Sequence, residues 1–519
     1  MDNHVNKIVK TEQTLEEALR HAKFGCFNVC LIITSGFILA NVILETFGIS
    51  FVLPVSQCEL NWTMTERSVL SSVTVMGIII SSHLWGYLAD TKGRKRVILP
   101  TLILGFVFEF LASFSVNFWM FALLKLFNGI FVSGSSATIY AYIGEFHTTK
   151  NRDRAIMIAS TLYGFGTIFM SILAWLIINQ EWSFYIPVIG LTYKPWRLYM
   201  VACALPGLIC GLVLFGFPES PKYLLSVGRD EEALETIKYI YEKNTKNKRD
   251  SFPVSKLLKE PLDEGSIIIE GEGNFLSTLC KSVWDQTAPL FNKQFIWLTL
   301  LICFLQFVVF STANGMYMWF PDILNSVMEY NKENPDNSTY ICEIYKEKIG
   351  QVFSGSHHGT ACVEKFEIST YIYSIYVEIG YILGFAVISG FIKIVSKKYI
   401  IAFVLFVTGA CGIVAVLVKH STTANILYII LLVCALAENL LGSASVELYP
   451  TKLRAMSVCI SLMFGRLGCV FGTFYIGAML KDYCDISFYA CGGSLIIAGL
   501  LAFFIPNAKK EPAIDSPVT

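Results

Sequence analysis

Twelve mostly apolar runs, each long enough to cross a bilayer, recur along the chain at 28–54, 68–89, 97–115, 119–144, 155–178, 197–217, 295–319, 369–392, 399–418, 424–446, 455–479 and 486–505. A spanning helix needs about 20 such residues, so the pattern predicts twelve transmembrane helices, six on each side of a polar segment at 218–294. Lys and Arg gather in alternate connections, at 90–96, 150–154, 393–398 and 452–454, and Lys7, Lys10, Arg20 and Lys23 precede the first run. The intervening short connections carry isolated cations: Arg67, Lys194, Lys419 and Lys481. Basic residues are retained on the cytoplasmic side of a membrane, so both termini are expected there. The layout read from this is a cytoplasmic segment 1–27, a six-helix bundle 28–217, a cytoplasmic linker 218–294, a second bundle 295–505 with a long external connection at 320–368, and a cytoplasmic tail 506–519. In the linker, Leu234, Ile237, Ile240 and Tyr241 recur at helical spacing, which predicts an amphipathic helix from Asp230 to about Lys248. The stretch beyond, to about 275, reads as flexible. Residues 1–25 hold no signal-peptide core, and the first run is expected to be kept as a helix.

Composition sharpens this picture. The 519 residues are 54% apolar and 15% charged, where soluble domains average about 25% charged, so the chain is an integral membrane protein. A formal net charge of zero removes nucleic acid as an expected partner. Most of the fifteen cysteines lie inside apolar runs as packing residues. Cys342 and Cys362 share the external connection and are expected to form a disulfide. Two glycosylation sequons, Asn337-Ser-Thr339 and Asn61-Trp-Thr63, fall on the external side of this topology. Asn337 is the better acceptor, since Asn61 sits close to the bilayer. No nucleotide-binding loop, metal cluster or catalytic triad stands out, so neither enzymatic activity nor a cofactor is expected.

Between runs two and three lies Gly86-Tyr-Leu-Ala-Asp90-Thr-Lys-Gly93-Arg94-Lys95-Arg96. Gly93 suits the left-handed end of a helix. Gly86 and Asp90, four apart, share a helical face, and Gly86 is expected to let a neighbouring helix approach. The pattern G-x-x-x-D-x-x-G-R-K resembles the signature loop of the major facilitator superfamily, with Thr91 where a basic residue is usual. The halves also repeat. Run four ends in Tyr140-Ala-Tyr-Ile-Gly-Glu145 with Arg152 seven on, and run ten ends in Ala444-Ser-Val-Glu447 with Arg454 seven on. In the second half Lys393 stands where Asp90 would be. Phe51-Val-Leu-Pro54, Pro218-Glu-Ser-Pro221, Trp319-Phe-Pro-Asp322 and Val446-Glu447-Leu-Tyr-Pro450, read as closing runs one, six, seven and ten, together resemble the synaptic vesicle glycoprotein 2 branch in its short, insect-type form, near the organic ion and sugar transporters. The resemblance implies an all-α membrane fold of twelve helices in two pseudo-symmetric six-helix bundles. It also implies a gating role for Gly86, Asp90, Gly93, Arg94, Lys95, Glu145 and Arg152, latching the halves in an outward-open state, with Glu447 and Arg454 as their counterparts.

A charge at the centre of a spanning helix costs about 2.5–3.5 kcal/mol on insertion scales. Glu109 and Lys125 each lie eight residues from Asn117, the turn between runs three and four. They therefore sit at equal depth and are expected to pair. Glu438 and Arg466 are also at similar depth, either paired or facing a substrate. Glu45 and Glu378 have no evident local partner. Each is a hydrogen-bonded carboxyl, or part of a cation-attracting or proton-coupled site. His83 is expected to be a packed, neutral histidine. By resemblance, Lys125 matches a basic position used for coupling or substrate contact, Glu45 an acid of the vesicle glycoproteins, and Trp175 a cavity tryptophan. Glu438 stands at the place of a second such tryptophan and is followed by the matching Asn439. A carboxylate there favours cations, and an indole face can hold an ammonium. The candidate substrate-binding set is Glu45, Lys125, Trp175, Glu378, Glu438, Asn439 and Arg466. The expected function is secondary or facilitative transport of a small organic solute, an organic cation being one candidate, with a proton or sodium as the coupling ion. The chain is expected to act as a monomer in the plasma membrane or an intracellular vesicle. The alternative is a non-transporting glycoprotein of the same fold, acting as a receptor or trafficking factor.

Overall fold

The computed structural model describes residues 11–188, 190–258, 284, 287–334, 339–353, 365–392 and 394–506. The first span is built from α2 (Cys26–Phe47) and α3 (Ile49–Leu60). Then come α4 (Met64–Lys92), α5 (Arg94–Ala112), α6 (Phe118–Glu145), α7 (Thr149–Ile178) and α8 (Pro195–Leu214). The second half holds α11 (Ile296–Glu333), α13 (Ile368–Phe391) and α14 (Lys397–Ala415). A span follows that is formed by α15 (Ser421–Leu432) and α16 (Leu436–Leu448), joined by the 3-10 turn Val433–Ala435. The last helix, α17 (Thr451–Ala502), departs from helical geometry at Tyr483 and so supplies two spans. The described residues thus hold the twelve spans the apolar runs predict.

Two compact units divide the chain. Unit 1 comprises Met1–Trp62, Val73–Gly273 and Val363–Phe366, and unit 2 comprises Thr63–Ser72, Asn274–Cys362 and Glu367–Thr519. In unit 1 a hypothetical side chain on Gly129 of α6 would strike the carbonyl of Thr74 on α4, and one on Gly77 would strike that of Leu126. Small residues let membrane helices gain packing and weak hydrogen bonds at short range. In unit 2 Gly468 and Gly472 of α17 play this part against the carbonyls of Phe307 and Ser311 on α11. Gly86, expected to mark such a contact, has open space where a side chain would begin, with no neighbouring atom within 4 Å of that point. His83, expected to be packed, is exposed on α4.

One end of unit 1, its inner one by the placement of basic residues, carries a small ordered layer. Strand β1 (Thr11–Gln13) pairs in parallel with β4 (Val254–Leu257), Thr11 opposite Val254. Helix α1 (Leu15–Ala22) opens with a capping box between Thr14 and Glu17, which satisfies two orphan donors. Its Ala18, Leu19 and Ala22 share a buried cluster with Ala233, Ile237 and Ile240 of α10 (Asp230–Thr245), and with Phe27, Tyr142 and Phe146 of the spanning helices. Asn244 ties the layer down. Its side chain donates to the Lys23 carbonyl at 2.7 Å and to Asn28 at 2.8 Å, and accepts from the Phe27 amide at 3.0 Å. The predicted linker helix is therefore α10, reached through a short α9 (Pro221–Ser226). The stretch read as flexible after it begins instead with a strand, because β1 supplies its hydrogen-bond partner.

The outer ends differ more from expectation. Run seven does not close at Trp319–Asp322, because α11 passes through Pro321 and ends at Glu333. Membrane helices tolerate proline, since neighbours re-satisfy the freed carbonyl. The connection after run seven thus starts about 13 residues later than 320 and contains α12 (Ile341–Phe353). Cys342 bonds to Cys484 of α17 and not to Cys362, correcting the expected pairing; Cys362 lies outside the described residues, as do Asn337 and Lys393. Cys58 is disulfide-bonded too. Asn61 is exposed and ends α3 in the left-handed region, at φ 50°. A hairpin of β2 (Phe184–Ile186) and β3 (Leu191–Tyr193) lies between α7 and α8. The Cys342–Cys484 bond closes a loop of 142 residues, and long closures constrain the unfolded chain most. Cys342 should resist alkylation in unreduced protein and become alkylatable in Cys484→Ser, read by a maleimide mass shift, with a lower melting temperature.

Candidate functional site

The buried charges of unit 1 converge on the place where α2 gives way to α3. Lys125 of α6 donates to both carboxylate oxygens of Glu109 on α5, at 3.1 and 2.9 Å, and to the backbone carbonyl of Glu45 at 3.1 Å. The ion pair expected from equal depth is formed. Carbonyls in the last turn of a helix lack intrahelical partners, so one ammonium here serves a carboxylate and a helix end together. The Glu45 side chain, which had no evident partner in sequence, accepts from the Asn41 amide at 2.5 Å and from the Asn128 amide. Asn41 in turn accepts from the Gly207 amide of α8 at 2.8 Å, and Asn128 donates to the Gly105 carbonyl at 3.1 Å. Four helices thus fix one carboxylate. A small cavity beside the cluster is lined by Glu109, Lys125, Leu44, Gly48, Tyr199 and Cys203. Two carboxylates face one ammonium, so the fully ionised cluster carries one negative charge in excess.

In unit 2 one helix supplies a donor to each of two acids. Tyr317 of α11 donates to Glu378 of α13 at 2.8 Å, and Asn314, one turn earlier, donates to Glu438 of α16 at 3.0 Å. Residues three apart on a helix share a face, so α11 presents one polar stripe to both carboxylates. Gln306, two further turns back, donates to the Glu438 carbonyl at 3.4 Å. Asn314 thus meets Glu438 from α11, a partner the sequence reading did not offer beside Arg466. Trp175 is 45% exposed on α7 and Asn439 is exposed on α16. Asn41, Asn128, Asn314 and Tyr317 were missed in the sequence. The signal available was Asn41, four residues before Glu45 and so on the same helical face.

At the inner end of unit 1 the signature loop is a charge network. Arg94 pairs with Asp90 at 3.0 Å and with Glu145 at 3.1 Å, and donates to the Ala89 carbonyl at 2.9 Å. Gly93, at φ 111°, caps α5 without a side chain. Glu219 takes over that task, accepting from the amides of Lys95 at 2.9 Å and Arg96 at 3.2 Å, where a carboxylate also opposes the positive end of the helix dipole. Ser220 donates to Glu145, and Lys95 donates to the Phe217 carbonyl at 2.6 Å. The Pro218-Glu-Ser-Pro221 segment is therefore part of the network. Arg152 is not; its Nε donates to the Gly144 carbonyl at 3.1 Å. The partners named here, Asp90, Glu145, Glu219 and Ser220, all belong to unit 1. In unit 2 Glu447 pairs with Lys397, at the start of α14, at 2.5 Å, while Arg454 makes no ion pair among the described residues.

The outer end of unit 2 has its own buried pair. Arg67, read only as an isolated external cation, meets Asp322 at 2.6 Å and lies over the Trp319 ring at 5.2 Å. Tyr345 of α12 donates to the same Asp322 oxygen at 2.8 Å.

Comparison with known proteins gives three findings. A family model described as Major Facilitator Superfamily matches residues 31–437. Synaptic vesicle glycoprotein 2B of Mus musculus is 28% identical over 351 residues, 64% of this chain and 49% of that protein. Synaptic vesicle glycoprotein 2C of Rattus norvegicus is 29% identical over 333 residues, 60% and 44%. The chain spans about half the length of the curated relatives it matches. Among solved structures, the inward open xylose transporter XylE from E. coli is similar with a TM-score of 0.63 at 16% identity, over 93% of this chain and 97% of that one. A bacterial homologue of the human lysosomal transporter Spinster, inward-facing and unoccupied, gives 0.61 at 14%, over 93% and 98%. At such identities the likeness is one of fold.

Two outcomes follow from these contacts. Lys125→Met should lower stability by about 3–5 kcal/mol, because it leaves Glu109 buried and unpaired. Adding Glu109→Gln should return much of the loss, read as melting temperature in detergent. The second concerns His147, buried between α6 and α7, whose Nδ1 lies 2.7 Å from the Ile143 carbonyl and whose ring lies 5.9 Å from that of Phe24. Burial pushes its pKa below the ordinary 6.5, and Arg152 acts in the same direction. The unfolded chain then takes up the proton first, so stability is full above about pH 6.5 and falls as pH drops below it. Intrinsic-rate-corrected amide exchange in α1 should be faster at pH 5.5 than at pH 7.5, and the difference should vanish in His147→Gln.

Proposed function

The chain belongs to the Major Facilitator Superfamily, and on that premise we propose that it is a secondary or facilitative transporter of a small organic solute, moved by alternating access. The observation that carries this reading is the burial of Glu45, Glu109 and Lys125 among the spanning helices of unit 1 and of Glu378 among those of unit 2. Charges in spanning segments are costly and mark substrate or ion pathways. In unit 1 the excess negative charge attracts a proton or a cationic group, which assigns Glu45 to coupling or to solute binding. In unit 2 Glu378 and Glu438, each held by a neutral donor of α11, favour a solute with a positive or strongly donating group. Trp175, Asn439 and Arg466 complete the proposed substrate-binding set. The Asp90–Arg94–Glu145 network and its Lys397–Glu447 counterpart are assigned to gating.

The relatives named as vesicle glycoproteins support a lumenal or extracellular loop carrying glycans, with Asn337 and Asn61 as the acceptors. Both termini are assigned to the cytoplasm from the placement of basic residues, and the membrane is the plasma membrane or a vesicle.

Purified protein in proteoliposomes should show saturable uptake of at least one solute from a panel of organic cations, anions and sugars chosen by thermal shift. Glu45→Gln and Glu438→Gln should each lower the initial rate about tenfold or more, while the melting temperature stays within a few degrees. Uptake indistinguishable from empty vesicles for every stabilising solute would favour the receptor reading.

A further inference from the structure

Ten free cysteines are described, and most are buried among helices. Cys26, Cys30 and Cys459 are exposed, and of these only the first two form a pair. They lie one turn apart on α2, and their sulfurs are 4.0 Å apart. They also stand at the inner edge of an apolar stripe: Val29, Ile33 and Phe37, at helical spacing on the same side, are 44%, 46% and 51% exposed. An apolar stripe left open on a spanning helix faces lipid hydrocarbon. The residues before the pair mark the membrane surface. Gly25 begins the helix, and Arg20 and Lys23 before it are exposed. Asn244 bonds to this segment from α10, where Lys243 and Lys246 are exposed as well. Four cations around the start of one helix suit an anionic headgroup layer. The thiols therefore sit one turn inside that layer, open to the bilayer, with the first apolar turns of α2 beneath them.

We propose that Cys26 and Cys30 form a site of reversible S-acylation that takes a long-chain fatty acyl group from a fatty acyl-CoA. Juxtamembrane cysteines are the sites where this modification occurs. The thiolate attacks the thioester carbonyl of the donor, the carbon–sulfur bond to coenzyme A breaks, and coenzyme A leaves as a thiol carrying the proton. The product is a thioester on the cysteine, and hydrolysis returns the thiol. The stripe Val29–Ile33–Phe37 gives the attached chain a surface to lie along, and the 4.0 Å spacing of the sulfurs places a second chain beside the first. Each methylene buried contributes about 0.8 kcal/mol to membrane attachment. For a protein already spanning the bilayer, the effect is to hold α1, α2 and the inner layer against the membrane surface. The buried cysteines, such as Cys203, Cys303 and Cys434, offer an acyl donor no such approach.

The inference rests on the cytoplasmic orientation proposed above, and the test separates the two. The full chain is expressed in eukaryotic cells, and thioesters are exchanged for a polyethylene-glycol maleimide after hydroxylamine. One or two hydroxylamine-dependent mass steps are expected in the unaltered chain, at most one in Cys26→Ser or Cys30→Ser, and none in the double variant. In parallel, a membrane-impermeant maleimide applied to the same cells should label the unacylated pair only after permeabilisation. No hydroxylamine-dependent step in the unaltered chain, or a step that survives in the double variant, overturns the acylation site. Labelling of Cys26 or Cys30 in intact cells overturns the orientation and the site with it.

Discussion

A lysine placed where water cannot reach it dictates much of unit 1. Lys125 must find acceptors within the bundle, and it finds three oxygens on two other helices: both of Glu109 and the backbone carbonyl of Glu45. That requirement fixes the depth of α5 against α6 and anchors the turn where α2 becomes α3. It also sets the position of the Glu45 carboxylate, which the amides of Asn41 and Asn128 then complete. A polar group left unmet in hydrocarbon costs several kcal/mol, so the helices cannot slide independently past this point.

The two units solve the same problem with different chemistry. In unit 1 a cation neutralises one of two acids, and amides hold the other. In unit 2 neutral donors on one face of α11 hold Glu378 and Glu438. The inner ends show a similar divergence. Each has a basic residue at the start of a helix against a glutamate at the end of the next, Arg94 with Glu145 and Lys397 with Glu447. Among the described residues, the first adds an aspartate and recruits the chain beyond its sixth span through Glu219 and Ser220, and the second does neither.

The sequence made some of this legible. Twelve spans follow from run length alone, once the kink at Tyr483 is allowed for. Glu109 and Lys125 could be paired because equal distances from a tight turn give equal depth. Glu45 could be singled out, and Asn41 four residues before it was within reach of the same reasoning, but Asn128 was not, since it comes from a helix 83 residues on and only packing brings it near. The disulfide was misread for a similar reason. Cys362 is the nearer candidate in the chain, yet Cys484 is the one that lies against Cys342. Proline suggested an end to run seven, but a lipid-embedded helix has more ways to continue than a soluble one. Arg67 looked like a surface charge because Asp322 was taken to lie in a loop.

The parallel pairing of β1 with β4 bears on how the chain is made. Thr11 meets Val254, about 240 residues later, so at ordinary rates of synthesis the first strand waits about 12–50 s for its mate. Six spans are produced in that interval, while the apolar side of α1 has no α10 to cover it. The membrane surface beside the first span is the nearest apolar cover for α1 until α10 is made.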